Sequence, residues 1–265
     1  MQLSEKTITN LKADFEYSLP GLVEAIKEVS SDTFLIGASL LDFYKAEGWV
    51  ADFSRATGDL DFTIEYFGSP DEYNKVCQKL LETGYTKDEK HSYRYHPKKV
   101  QGVYAYVDLL AFTTEKELEA DAKKIIPVGE LFNFEGMNFA KHAPLTFEEN
   151  IYLPNPLALI FLKMMSYRYN PDRKKDFVDF IEIILRMSTD DKFLAPLKEI
   201  VLSCESEKDI KELTHVLRYL EKDVGTPWDI DDIYDDMEDR GLLNEFEWDE
   251  IPVTVEFFRT KIIPR

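Results

Sequence analysis

The chain has 265 residues, 44% of them hydrophobic and 13% aromatic, with 32 basic and 51 acidic side chains giving a formal net charge of −19. That length and composition suffice for a packed core and exclude a disordered chain. The charge opposes non-specific binding to nucleic acid, which needs lysine and arginine to neutralise phosphates, but leaves room for a local basic groove.

No apolar run approaches the roughly 18 residues of a membrane span, and no signal-peptide pattern opens the chain. Cys77 and Cys204 lie far apart without metal-ligand spacing, and the four histidines (His91, His96, His142, His215) form no His-x-x-x-His pair. A cytoplasmic protein with no membrane association and no zinc site is expected.

In chain order, Ile8, Leu11 and Phe15 set a helix over Leu3 to Tyr17, and a second short helix runs from Leu22 to Val29. Thr33 to Ile36 reads as a buried strand ending at Gly37, followed by a helix from Ser39 to Ala46. Leu60, Phe62, Ile64 and Tyr66 then alternate with Asp59, Asp61, Thr63 and Glu65, a period-two strand with an apolar and an acidic face. A helix from Asp71 to Thr83 follows. An antiparallel hairpin is expected from Lys90–Lys99 and Gly102–Phe112, with short strands near 125–128 and 131–134. Asn155-Pro156 signals a helix start, a capping side chain before proline at the first helical position. Helices are expected over Leu157–Tyr167, Asp172–Met187, Lys192–Cys204, Glu207–Asp223 and Trp228–Arg240. Between Gly225 and Glu250, eleven acidic residues stand against one basic, Arg240. The chain thus reads as α+β (mixed α/β): a mixed sheet flanked by helices over 1–152, then a helical domain with an acidic tail over 153–265.

Asp59 and Asp61 begin their strand on one face, roughly 6.6–7 Å apart along it. That span suits bracketing divalent ions about 3.5–4 Å apart. Upstream, Gly37-Ala38-Ser39 is a small-residue turn that lets backbone N–H groups approach a phosphate, with the Ser39 hydroxyl beside it. An ordinary strand with a polar face is the alternative. The Asp-x-Asp-x-Thr signature of haloacid-dehalogenase-like phosphohydrolases also fits 59–63. Those enzymes carry the aspartates at the end of an apolar strand, whereas here the apolar strand follows them. Lys163 lies in a helix apolar almost all round, where a lysine is costly unless paired or facing a charged ligand; a lysine snorkelling to the rim is the alternative. Asp176 can orient Lys163 or an acceptor; Asp172 and Asp179 are alternatives for that role. Arg55 and Thr57 either shape the phosphate turn or serve an ordinary loop. Lys90, Arg94, Lys98 and Lys99, with Tyr93 and Tyr95, form a run with no acid from His91 to Gln101, able to guide a polyanion or to protect an edge strand.

Ile36-Gly37-Ala38-Ser39 followed by Arg55-x-Thr57-x-Asp59-Leu60-Asp61-Phe62 resembles the polymerase-β-like nucleotidyltransferase superfamily. Within it, the chain most resembles the abortive-infection (AbiEii-like) nucleotidyltransferase toxins and their minimal relatives. Leu159-Ile160-Phe161-Leu162-Lys163, then Arg168, then Lys174-Lys175-Asp176-Phe177-Val178-Asp179-Phe180 extends the likeness, which covers roughly residues 33 to 185. It implies that the small-residue turn and Lys163 bind the nucleotide triphosphate. It further implies that Asp59 and Asp61 bind magnesium, two ions being expected, with Asp108 as the third carboxylate. The turn carries one glycine where relatives often have two, and alanine resists positive φ.

The activity implied is magnesium-dependent transfer of NMP from an NTP to an acceptor hydroxyl, on an RNA or tRNA end, by the toxin of a toxin–antitoxin pair with an antitoxin protein as partner. A small-molecule, aminoglycoside-type nucleotidyltransferase acting on a cationic acceptor is a second expectation, and a non-catalytic interaction module a third.

Overall fold

A computed structural model describes residues 2–49, 57–118, 137–142, 144–170, 172–188 and 191–202, with isolated positions between and beyond these. Arg55, the strands expected near 125–134 and the helices expected over Glu207–Asp223 and Trp228–Arg240 fall wholly or largely outside the described residues.

Ser4 caps the first helix, α1 (Glu5–Ser18), its hydroxyl accepting from the Thr7 N–H at 3.2 Å. Then come α2 (Leu22–Lys27), β1 (Thr33–Ile36), α3 (Leu40–Ala46), β2 (Asp59–Glu65), α4 (Asp71–Glu82), β3 (Thr86–Lys87), β4 (Arg94–His96) and β5 (Tyr106–Phe112). The expected hairpin is β4 with β5, antiparallel. After a short helix, α5 (Met137–Ala140), two strands appear that sequence patterning did not signal, β6 (Leu145–Glu148) and β7 (Ile151–Leu153). Helices α6 (Pro156–Tyr169), α7 (Lys174–Ser188) and α8 (Asp191–Leu202) follow. Asn155 caps α6 as expected, accepting from the Ala158 N–H at 3.0 Å, and its amide donates to the His142 carbonyl at 3.0 Å.

The fold is mixed α/β, built on one seven-stranded mixed sheet among the described residues in the order β3-β4-β5-β2-β1-β7-β6. β2 pairs antiparallel with β1 and parallel with β5, and β1 pairs parallel with β7. β7 joins this sheet and ends at Leu153, immediately before α6. Among the described residues, no helix is long and apolar enough to cross a membrane.

Alternation along β2 gives the sheet two unlike faces. Leu60, Phe62 and Ile64 point into a core that Phe15 of α1 organises, its ring meeting Phe43, Phe62, Tyr104 and Phe147 at centroid distances of 5.5–6.4 Å. The opposite face of β2 is polar but not solvated along its whole length: Thr63 and Glu65 are buried. Lys141, just after α5, makes this tolerable by donating to both Glu65 oxygens at 2.6 and 2.7 Å. Even so, burial raises the Glu65 pKa against the pull of Lys141. α6 is apolar around most of its surface and buried accordingly, through Leu157, Leu159, Ile160, Phe161, Met164 and Met165.

Candidate metal centre

Three carboxylates converge at the start of β2. The parallel register sets Asp61 beside Asp108 of β5 and Asp59 beside Tyr106, while β1 ends with Ile36 opposite Asp61. One carboxylate oxygen from each of Asp59, Asp61 and Asp108 lies within 4.8 Å of the others. The sheet therefore joins residues 47 positions apart in sequence by direct strand pairing.

The chain turns away from this cluster at Gly37, and the residue type is dictated by what stands next to it. Gly37 has φ +87, and a Cβ built there would fall 2.1 Å from Asp61 Oδ2. Only glycine meets both conditions. Positive φ is confined to Gly37 within this turn, so Ala38 is under no such demand. Ser39 is buried, its hydroxyl donating to the Ile36 carbonyl at 3.5 Å. Thr57, also buried, donates its hydroxyl to Asp59 Oδ1 and thereby orients the first carboxylate.

Asp61 is short of positive charge. Among the described residues no hydrogen bond reaches its carboxylate. Burial, followed by the charges of Asp59 and Asp108, pushes its pKa from 3.8 up to about 7, against the opposing pull of Lys163 and Arg173. Oxygen-only ligands carrying several negative charges are those of a hard divalent cation such as Mg2+. The residues present fit such an ion.

Lys163 of α6 faces α7. It donates to Asp176 at 2.9 Å and to Asp179 at 2.7 Å, and Ser166, one turn further along α6, donates to Asp176 at 2.9 Å. The i, i+3 spacing on each helix matches the two pairs across the contact. Burial works against the charged lysine, but Asp179 and Asp176 outweigh it and hold the pKa of Lys163 raised. Burial likewise opposes ionisation of Asp176, and Lys163, then Arg173, overcome it and hold the acid at about 2. Of the three acids considered for this helix, Asp176 and Asp179 both engage Lys163 while Asp172 is exposed. Two of the three ammonium protons are thus committed to carboxylates.

Sequence reasoning passed over the partner of Asp108. Arg94 of β4 sits opposite Asp108 in the register, bonds both its oxygens, and lies with its guanidinium carbon 3.8 Å from the centroid of the Tyr106 ring. The signal was present, since Arg94 and Asp108 stand in the two arms of the expected hairpin, but its register was not legible. Tyr95, which stands with Tyr93 in the basic run able to guide a polyanion or to protect an edge strand, is 1% exposed and belongs to the core.

Compared with protein-family models, with curated proteins and with solved structures, the chain shows no match.

Proposed function

We propose that the chain is a divalent-metal-dependent nucleotidyltransferase, transferring NMP from an NTP to an acceptor hydroxyl: the acceptor oxygen bonds the α-phosphorus, the α–β anhydride bond breaks, and pyrophosphate leaves. The observation that carries this reading is the convergence of Asp59, Asp61 and Asp108 within 4.8 Å against the glycine turn that ends β1. Mg2+ is the cation proposed, held at this carboxylate cluster. When bound, it neutralises charge on the transferred phosphoryl group and polarises its oxygens.

The chain's own groups do the rest. Asp61 gives up its proton to present a full carboxylate, and Thr57 fixes the rotation of Asp59. Asp176 and Asp179 keep Lys163 charged and aimed, so that its field reaches Asp61. In phosphoryl transfer, positioning and charge neutralisation supply most of the rate, and no side-chain nucleophile is required. Asp59 opens β2 rather than ending a strand, which favours nucleotide transfer over the phosphohydrolase alternative.

The acceptor we propose is an RNA end, as for the toxin of a toxin–antitoxin pair. Arg94, Lys163 and Arg173 border the site, each paired with a carboxylate, and the Arg94 N–H donors not given to Asp108 are the groups proposed to meet an acceptor phosphate.

The test supplies each α-labelled nucleoside triphosphate with Mg2+ and offers total tRNA, bulk protein or an aminoglycoside. Label on tRNA, abolished by Asp61→Asn, is expected. Label on an aminoglycoside instead would overturn the RNA acceptor. No transfer to any of the three, together with no metal-dependent nucleotide binding, would overturn the enzyme.

A further inference from the structure

Asp108 differs from the other two carboxylates of the centre. Arg94 holds both its oxygens, Nε to Oδ1 at 2.7 Å and Nη2 to Oδ2 at 2.8 Å. By contrast, among the described residues Asp59 receives the Thr57 hydroxyl on Oδ1 alone and no donor reaches Asp61. The oxygens still open to a cation therefore lie chiefly on β2.

Three features make Arg94 a fixture rather than a passing contact. The β4–β5 register places it directly opposite Asp108. Its guanidinium stacks on Tyr106 at 3.8 Å from the ring centroid. Its side chain is only 21% exposed, and that of Asp108 7%. A two-pronged, stacked guanidinium is permanently charged and matches the carboxylate in geometry as well as in sign. The burial cost of Asp108 is thus already met by a cation that belongs to the protein. Three carboxylates carry three negative charges; with Arg94 counted, the remainder equals the charge of one divalent ion.

Resting on the nucleotidyltransferase reading, we infer that this site takes a single divalent ion, on the β2 aspartates, and that Arg94 fixed on Asp108 supplies the positive charge a second ion would bring. The expectation of two ions drawn from family resemblance is thereby reduced to one. Arg94 also retains three N–H donors beyond those given to Asp108, available to an anionic oxygen of a substrate.

Native mass spectrometry of the full chain counts bound Mn2+, alone and with each of the four α,β-methylene nucleoside triphosphates. The unaltered chain is expected to carry no more than one Mn2+ under every condition. Arg94→Gln, which uncovers Asp108 without adding charge, is expected to carry two. Arg94→Lys, which keeps the charge and loses the fork, is expected to stay at one, and a melting curve on each variant checks that it is folded. Two ions in the unaltered chain overturn the inference whether or not either variant folds, and so does a folded Arg94→Gln chain that still takes one. No Mn2+ on any protein under any condition overturns the metal-centre reading itself, a result distinct from either of these.

Discussion

Asp61→Asn replaces a carboxylate that the fold holds at a cost with a neutral side chain of the same shape. The folded-state pKa of Asp61 is raised from 3.8 to about 7. Between those values the folded chain binds a proton that the unfolded chain has released, so stability falls as pH rises through this window. Above it the full penalty stands, which at 1.36 kcal/mol per pH unit is about 4 kcal/mol. At pH 5.5 the same relation leaves about 2 kcal/mol. In EDTA at pH 8, Asp61→Asn should therefore be the more stable protein, by up to about 4 kcal/mol, with Tm higher by roughly 2–4 °C for each kcal/mol. The advantage should halve at pH 5.5. Glu65, whose pKa is also raised, is common to both proteins and cancels in the difference. Adding Mg2+ at pH 8 should restore the unaltered chain and leave Asp61→Asn unchanged. The assay is thermal unfolding at both pH values with EDTA or Mg2+. An Asp61→Asn protein no more stable than the parent in EDTA at pH 8 would refute the charge argument.

Gly37→Ala forces a side chain onto a left-handed backbone, a cost of about 1–2 kcal/mol, and into the Asp61 carboxylate. Calorimetric titration should show Mn2+ affinity reduced roughly 10–100-fold. Lys163→Met leaves Asp176 and Asp179 buried without their shared cation, costing about 3–5 kcal/mol in urea unfolding. Since the depressed Asp176 pKa contributes stability above 3.8 that is lost as pH falls through about 2, this acid limb should flatten in Lys163→Met. Lys141→Met strands the Glu65 charge at a cost of about 3–5 kcal/mol, and adding Glu65→Gln should recover most of the loss if the pair is electrostatic.

The strands and helices that carry the candidate site were legible because their patterns are local. Alternation over Asp59–Tyr66 gave β2, the Asn155-Pro156 cap gave the start of α6, and apolar residues around Lys163 required a charged partner for it. What the sequence did not disclose depends on register. Nothing in the one-dimensional order says that Arg94 stands opposite Asp108, or that Thr33 pairs with Ile151 and so draws residues 145–153 into the sheet. β7 spans three residues, Ile151–Leu153, too few for alternation to declare itself. The burial of Glu65 was equally hidden, because an acidic face on a strand reads as solvated until Lys141, just after α5, is in place. Asp176 and Asp179 read as alternatives along the sequence, whereas their helical spacing brings both to the same ammonium.

The position of β1 between β2 and β7 governs how the chain must assemble. Thr33 waits for Ile64 on one side and for Ile151 on the other. The second closure spans most of the described chain, and parallel pairing over such a distance is slow because loop entropy is lost before contacts repay it. During synthesis the inner edge of β1 stays unpaired until residues 151–153 emerge, long after the carboxylate cluster of β2 and β5 has its own partners. An open edge of Thr-Phe-Leu-Ile is a template for association with other chains. Fragments that stop before residue 151 should therefore self-associate, even though every residue of the acidic centre is present in them.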